Sequence, residues 1–348
     1  MPSRVEIGNS NAKKEIDKVI NKKVNFRIVI YGAGAVGGVL GGLLSLSGEQ
    51  VVLIGRPGNV NEIRAHGLNI VTSSGTHIVK LPAVASPKQI DFGPNDVVFL
   101  CVKGQDTETA IAELHSVVND IPVFCFQNGV RNEEIVSKYY HHIYGVMVKA
   151  ILFYIQDGEV IARGDLPNHL VIGRYPEGTD ELIEDVAAKL HNAGYEVTVT
   201  PEIMSYKYGK LIGNLTNAVG AITNFAGEEV EPITRAVQNE GKEILTMAGI
   251  KRVFAEEPLP SRPKDAVNQP YNGLSGVPLG STWQSLTRRQ GAVETEFLNG
   301  EIVRIAAKLG ERAPINETLL HITLEMAANH ELPGKYSPIE LIRLFKLD

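Results

Sequence analysis

Cysteine is nearly absent: the 348 residues hold two, Cys101 and Cys125. Both sit inside apolar runs, and neither stands in a CxxC or metal-ligand spacing. That excludes a disulfide scaffold; free thiols buried on strands, in a reducing cytoplasmic setting, are the expectation. The nine histidines are scattered, with His141-His142 an isolated pair expected at the surface, so no metal is implied. No run reaches the roughly 20 apolar residues of a membrane helix. Residues 1–24 lack an apolar stretch of signal-peptide length and read as a polar extension, with Ala12 to Ile16 starting a short helix and no function assigned. Lysine and arginine do not cluster, and the net charge is −6. Neither a nucleic acid nor a membrane is therefore an expected partner.

What remains is a globular composition, 43% hydrophobic and 21% charged, on a chain long enough for two domains. Phe26-Arg27-Ile28-Val29-Ile30-Tyr31 is a short apolar run that ends in glycines and gives way to a helical pattern. Val51–Ile54, Asp96–Val102 and Pro122–Phe126 are further buried strands, with helical stretches such as 107–118 between them. Strand and helix alternating at this spacing predict a doubly wound α/β sheet of Rossmann type. From Tyr144 to Ile172 the pattern is strand-rich, with a turn at Gly158, and reads as extra strands added to the sheet edge. A helix over 180–192 and a strand over 195–199 close this domain. Beyond Pro201 the segments 202–218, 228–249, 294–309 and 316–330 all read as helices, and 256–280, rich in Pro and Gly, as a long loop. The expected organisation is residues 25–200 as a nucleotide-binding domain and 201–348 as an all-helical domain. Its apolar helices allow a homodimer.

Gly32-Ala33-Gly34-Ala35-Val36-Gly37 is a GxGxxG sequence placed directly between a buried strand and a helix. The first glycine permits the tight turn, the second lets the backbone approach a pyrophosphate, and the third allows helix and strand to pack closely. The end of the second strand reads Ile54-Gly55-Arg56-Pro57, with no acid to bind ribose hydroxyls. Arg56 suits a 2′-phosphate, so NADP(H) is the expected cofactor. Lys103, past the next long strand, adds charge near that phosphate or near the nicotinamide ribose, or is a surface lysine. Asn128, in Gln127-Asn128-Gly129, offers donors and an acceptor to a nicotinamide ribose or a substrate, or forms an ordinary Asn-Gly turn.

Lys210, Asn214 and Asn217 fall on one face of the first helix of the second domain, and polar groups on a partly buried face need partners. Ser281 and Thr282 follow the long loop and suit a carboxylate, or cap a helix. Glu294 either pairs with Lys210, reaches the cofactor ribose, or is solvated. Trp283 reads as core packing.

In this order, GAGAVGG, LCVKGQDT, FQNGV, KLIGNLTNAVGAITN, STWQSL and ETEFLNGEI resemble the ketopantoate reductase (2-dehydropantoate 2-reductase) family from about Phe26 to the early 330s. The resemblance implies NADPH-dependent reduction of a 2-keto acid, 2-dehydropantoate to (R)-pantoate, in pantothenate and coenzyme A biosynthesis. It implies that Lys210 is the catalytic lysine, that Asn128 contacts cofactor and substrate, and that Asn214 binds substrate. Glu294 matches the family glutamate, a catalytic and cofactor-binding position. The chain departs from the pattern where Asn217 follows Asn214 by three residues with Ala218 next, and where Ser281-Thr282-Trp283 replaces Ser-Ser-Met. Counting back from Glu294 puts the substrate hydroxyl at Thr282, whereas residue type favours Ser281. These departures bear on which keto acid is taken. A dehydrogenase of the same architecture with another keto or hydroxy acid, or a non-enzymatic NADP(H)-binding redox sensor, are the alternative readings.

Overall fold

The computed structural model describes residues 26–72, 74–163, 169–254 and 280–347. The polar extension at 1–24 and, except for Gly280, the loop expected at 256–280 lie outside the described residues. The strands are β1 (Arg27–Tyr31), β2 (Val51–Ile54), β3 (Leu68–Thr72), β4 (Gly75–Val79), β5 (Ala83–Val84), β6 (Asp96–Leu100), β7 (Val123–Cys125), β8 (Ile143–Lys149), β9 (Ile151–Gln156), β10 (Glu159–Arg163), β11 (His169–Arg174) and β12 (Glu196–Val199). Eight of them form one sheet in the order β12-β11-β8-β7-β6-β1-β2-β5, parallel except where β8 meets β11. The chain builds outward from β1 to β2 and β5, then returns to β1's other side with β6. The point where the strand order reverses is therefore the β1/β6 crevice, where open α/β sheets bind ligands.

The strand-rich stretch after Tyr144 divides in a way that its residues do not announce. β8, β11 and β12 do extend the edge of the large sheet, but β9 and β10 leave it. They join β3 and β4, two strands that periodicity missed, in a second sheet ordered β4-β3-β10-β9. The helix after the glycine turn, α1 (Ala35–Leu46), lies between the two sheets. Four glycines inside it should cost about 1 kcal/mol each in helix propensity. What offsets this is close approach on both sides. A Cβ on Gly41 would stand 2.6 Å from the Leu53 side chain on the large sheet, and one on Gly38 2.8 Å from Val160 on the small one. A Cβ on Gly42 would overlap Ile70.

The other helices are α2 (Pro57–His66), α3 (Thr107–His115), α4 (Asn132–Val136), α5 (Glu181–Asn192), α6 (Ile203–Asn214), α7 (Thr216–Thr223), α8 (Glu231–Met247), α9 (Ser281–Thr287), α10 (Asn299–Lys308), α11 (Pro314–Ala328) and α12 (Pro338–Phe345). Among the described residues every element after β12 is helical. In α8 the buried positions Ile233, Val237, Gly241, Ile244 and Leu245 recur at the helical period and build the second core with α7, α10 and α11. The segment 202–218, which reads as one helix, is two: α6 ends at Asn214 and α7 begins at Thr216.

Helix α6 ties the two halves together. Gly145 and Gly173 are directly paired across β8 and β11, and this side-chain-free saddle receives Ile203. One turn on, Lys207 forms an ion pair with Glu133 of α4, the two side chains being 2% and 0% exposed. Losing one partner of such a pair leaves a charge stranded away from water. Lys207→Met should therefore lower unfolding stability by about 3–5 kcal/mol in denaturant titration. The double variant Lys207→Met, Glu133→Gln should recover most of that loss.

Candidate active site

The turn after β1 gives each glycine a separate task. Gly32 has φ +113°, and a Cβ there would stand 2.6 Å from the Val102 nitrogen, so the ends of β1 and β6 converge closely. Gly37 abuts the Gly32 carbonyl and leaves no room for a side chain. Gly34 differs: it is the N-cap of α1, and a Cβ built on it would meet nothing within 4 Å. The helix N-terminus thus opens onto a free space, with unsatisfied amides and a partial positive charge directed at it.

That space is a cleft of about 1120 Å³. Gly32, Ala33, Gly34, Ala35 and Val36 line one end, together with Arg56 and Lys103. Asn128, Lys210, Asn214, Asn217, Ser281 and Glu294 line the rest, so residues more than 250 positions apart in sequence face one cavity. Asn217 reaches it from α7, on a helix separate from that of Lys210 and Asn214. Thr282 does not line it: it is fully buried, and its hydroxyl has no partner among the described residues. Ser281 stands at the cleft, with the Asn217 amide 3.5 Å from its Oγ.

Lys210 occupies the junction of the two halves. Its ammonium donates to Asn128 Oδ1 at 2.9 Å, beyond β7, and to the carbonyl of Val148 on β8. Burial pushes its pKa down to about 8; the Lys207 charge one turn away acts in the same direction, and Glu294 opposes them. Asn128 is held in turn, since its Oδ1 faces Lys210 and, at 3.5 Å, the Asn214 amide. With the oxygen committed to donors, its own NH₂ is the end left for a ligand.

Lys103 spans the cleft from β6 to the helical half, donating to Ser285 Oγ at 2.7 Å and Gln290 Oε1 at 2.6 Å. Burial lowers its pKa, while Glu294 raises it, so the Glu294 carboxylate acts on both cleft lysines. Sequence reasoning missed Ser285, Gln290, Tyr154 and Arg288. Arg288 lies beside Arg289 in the run Thr287-Arg288-Arg289-Gln290, and nothing local tells the two apart; the fold turns the first to the cleft and leaves the second exposed. Among the described residues no group of His, Cys, Asp and Glu is arranged to hold a metal. No described helix is long and apolar enough to cross a membrane.

Comparison with known proteins agrees with this geometry. The family model described as "Ketopantoate reductase PanE/ApbA" matches residues 28–177, and "Ketopantoate reductase PanE/ApbA C terminal" matches residues 202–327. The chain belongs to the ketopantoate reductase family. That is a family of oxidoreductases. The 2-dehydropantoate 2-reductase of Pyrococcus horikoshii is 30% identical over 297 residues, covering 83% of this chain and 94% of that protein. The enzyme of the same name from Archaeoglobus fulgidus is 29% identical, over 85% and 96%. A PanE/ApbA family ketopantoate reductase from Ralstonia eutropha superposes with a TM-score of 0.72 at 29% identity, over 88% of this chain and 99% of that one. A D-mandelate dehydrogenase solved with NADH and anilino(oxo)acetate shares the fold, with a TM-score of 0.73 at 21% identity, over 88% and 99%.

As a ketopantoate reductase family member, the chain permits a clean test of its glycine turn. Gly34→Ala adds one methyl where the fold has space and the backbone is extended, so the melting temperature should stay within about 2 °C of wild type. The same methyl would narrow the space in front of the helix N-terminus, and affinity for a nicotinamide dinucleotide by calorimetry should fall at least about tenfold, or 1.4 kcal/mol.

Proposed function

We propose that this protein reduces the ketone of 2-dehydropantoate to (R)-pantoate with NADPH. The observation that carries the reading is the coordination of Lys210: two of its three N–H donors are taken by Asn128 and Val148, and the third, without a partner among the described residues, is left for a ligand oxygen in the cleft.

The residues fit the cofactor. The open N-terminus of α1, with Gly34 free of neighbours, suits a pyrophosphate. Arg56 makes no ion pair among the described residues and lies in the cleft at the end of β2, where a 2′-phosphate would need a cation. When bound, NADPH supplies the hydride. The chain's own work is to place the ketone and manage the charge that develops on its oxygen. A cation prepositioned by two fixed acceptors stabilises that oxygen more in the transition state than in the ground state. The same ammonium, with a pKa near 8, can then deliver a proton to the alkoxide. The NH₂ of Asn128 and the amide of Asn214 orient the substrate, and Ser281 with Asn217 receives its carboxylate. Glu294 keeps the two cleft lysines charged.

Two tests follow. Lys210→Ala should lower kcat about 10³-fold, within the range for loss of a general acid or oxyanion donor, while NADP⁺ binding by calorimetry stays within threefold. The active form of Lys210 is the ammonium, which predominates below its folded pKa, so kcat/KM for keto acid reduction should be flat below pH 8 and fall above it. The variant should lose that alkaline limb; an unchanged limb would assign it to another group. Arg56→Ala should raise KM for NADPH at least about tenfold and leave KM for NADH nearly unchanged, as expected for loss of a charge-assisted contact to the 2′-phosphate.

A further inference from the structure

Arg56 is not alone at its end of the cleft. Arg288, which closes α9 as its C-cap, also lines the cavity, coming from the helical half. Its Nη1 donates to the Tyr154 carbonyl on β9 at 3.1 Å, its Nε donates to the Gln284 carbonyl at 3.1 Å, and its guanidinium sits 5.9 Å from the Tyr154 ring centroid. The residue thus bridges α9 to the small sheet, across the cleft mouth. It has no carboxylate partner among the described residues. Burial lowers its pKa, and the nearby Arg56 charge acts in the same direction. Asp157, the carboxylate beside Tyr154, is engaged by the Tyr154 hydroxyl. Two guanidiniums within electrostatic reach of each other, both lining the cavity and neither in an ion pair among the described residues, favour an anion between them. Guanidinium geometry suits phosphate oxygens in particular.

We propose that Arg288 is a second determinant of cofactor specificity, clamping the 2′-phosphate of NADPH against Arg56 from the opposite half of the protein. The inference rests on the NADPH reading given above. It places the recognition of one phosphate on two lobes, so the phosphate holds the cleft mouth closed as well as anchoring the nucleotide. It also ties the cofactor to the substrate end, because the helix that ends in Arg288 begins with Ser281 and carries Ser285, the acceptor of Lys103.

The test uses adenosine 2′,5′-bisphosphate and 5′-AMP, which differ only in the 2′-phosphate, titrated into the full-length protein by calorimetry. Wild type should prefer the bisphosphate at least tenfold. Arg288→Ala should cut that preference about five- to tenfold while 5′-AMP binding changes less than twofold. Arg288→Gln keeps a donor for the Tyr154 carbonyl and guards against misfolding; it should show the same loss, and Arg288→Lys should restore part of it. Equal weakening of both ligands, or an undiminished preference in the Ala and Gln variants, would reduce Arg288 to a structural bridge and overturn the proposal while leaving the NADPH reading intact. If wild type and Arg56→Ala alike show no preference, the NADPH reading itself fails, and the clamp with it.

Discussion

The site depends on a single ammonium held from two sides. Lys210 begins on a helix of the second half, and its acceptors, Asn128 and the Val148 carbonyl, belong to the first. The contact fixes the position of the cation without neutralising it, because both partners are uncharged. A carboxylate there would have satisfied the lysine and blunted its pull on a ligand. The Glu294 carboxylate, in the same cleft, partly offsets the effect of burial on the lysine. Preorganisation of this kind costs folding energy in advance, and the docking of α6 supplies it: the paired glycines under Ile203, the buried Lys207–Glu133 pair and the apolar contacts of Met147 and Val171.

Much of this could be read from the chain. The buried strand, three glycines and helix at residues 26–46 carry their physics in their spacing, and they lie where expected. The identities at Arg56, Lys103, Asn128, Lys210, Asn214, Asn217, Ser281 and Glu294 marked residues that all face one cleft. What resisted was anything decided by distant partners. β3 and β4 have weak alternation, with Ile78 largely exposed; they pair with each other, and β10 returns to pair with β3. The break after Asn214 has no proline to announce it, and Gly213 lies inside α6; it follows from packing α6 on the sheet and α7 in the helical core. Ser281 and Thr282 are adjacent polar residues of similar size, and only the fold tells which one is fully buried and which meets the cavity.

The electrostatics of the cleft divide along its length. At the α1 end, positive partial charge and guanidiniums without a carboxylate partner among the described residues dominate, a setting for phosphates. At the α6 end, one cation is surrounded by amides and hydroxyls, a setting for a small acid that must be both held and polarised. The Glu294 carboxylate acts on both Lys103 and Lys210. A ligand spanning the cleft would therefore meet an environment graded from phosphate-binding to proton-donating.

Helix α1 has an implication for how this protein can change. Pressed between two sheets, it has no room for added bulk at its four glycines. Gly38 and Gly42 set the spacing to Val160 and Ile70, and Gly41 sets the spacing to Leu53. Any enlargement at one of these positions demands a matching reduction on the facing strand, so helix and sheets behave as interlocking parts that must be re-cut together. A designer seeking a firmer scaffold should leave this helix alone and work on the outer surfaces, where each choice can be made independently.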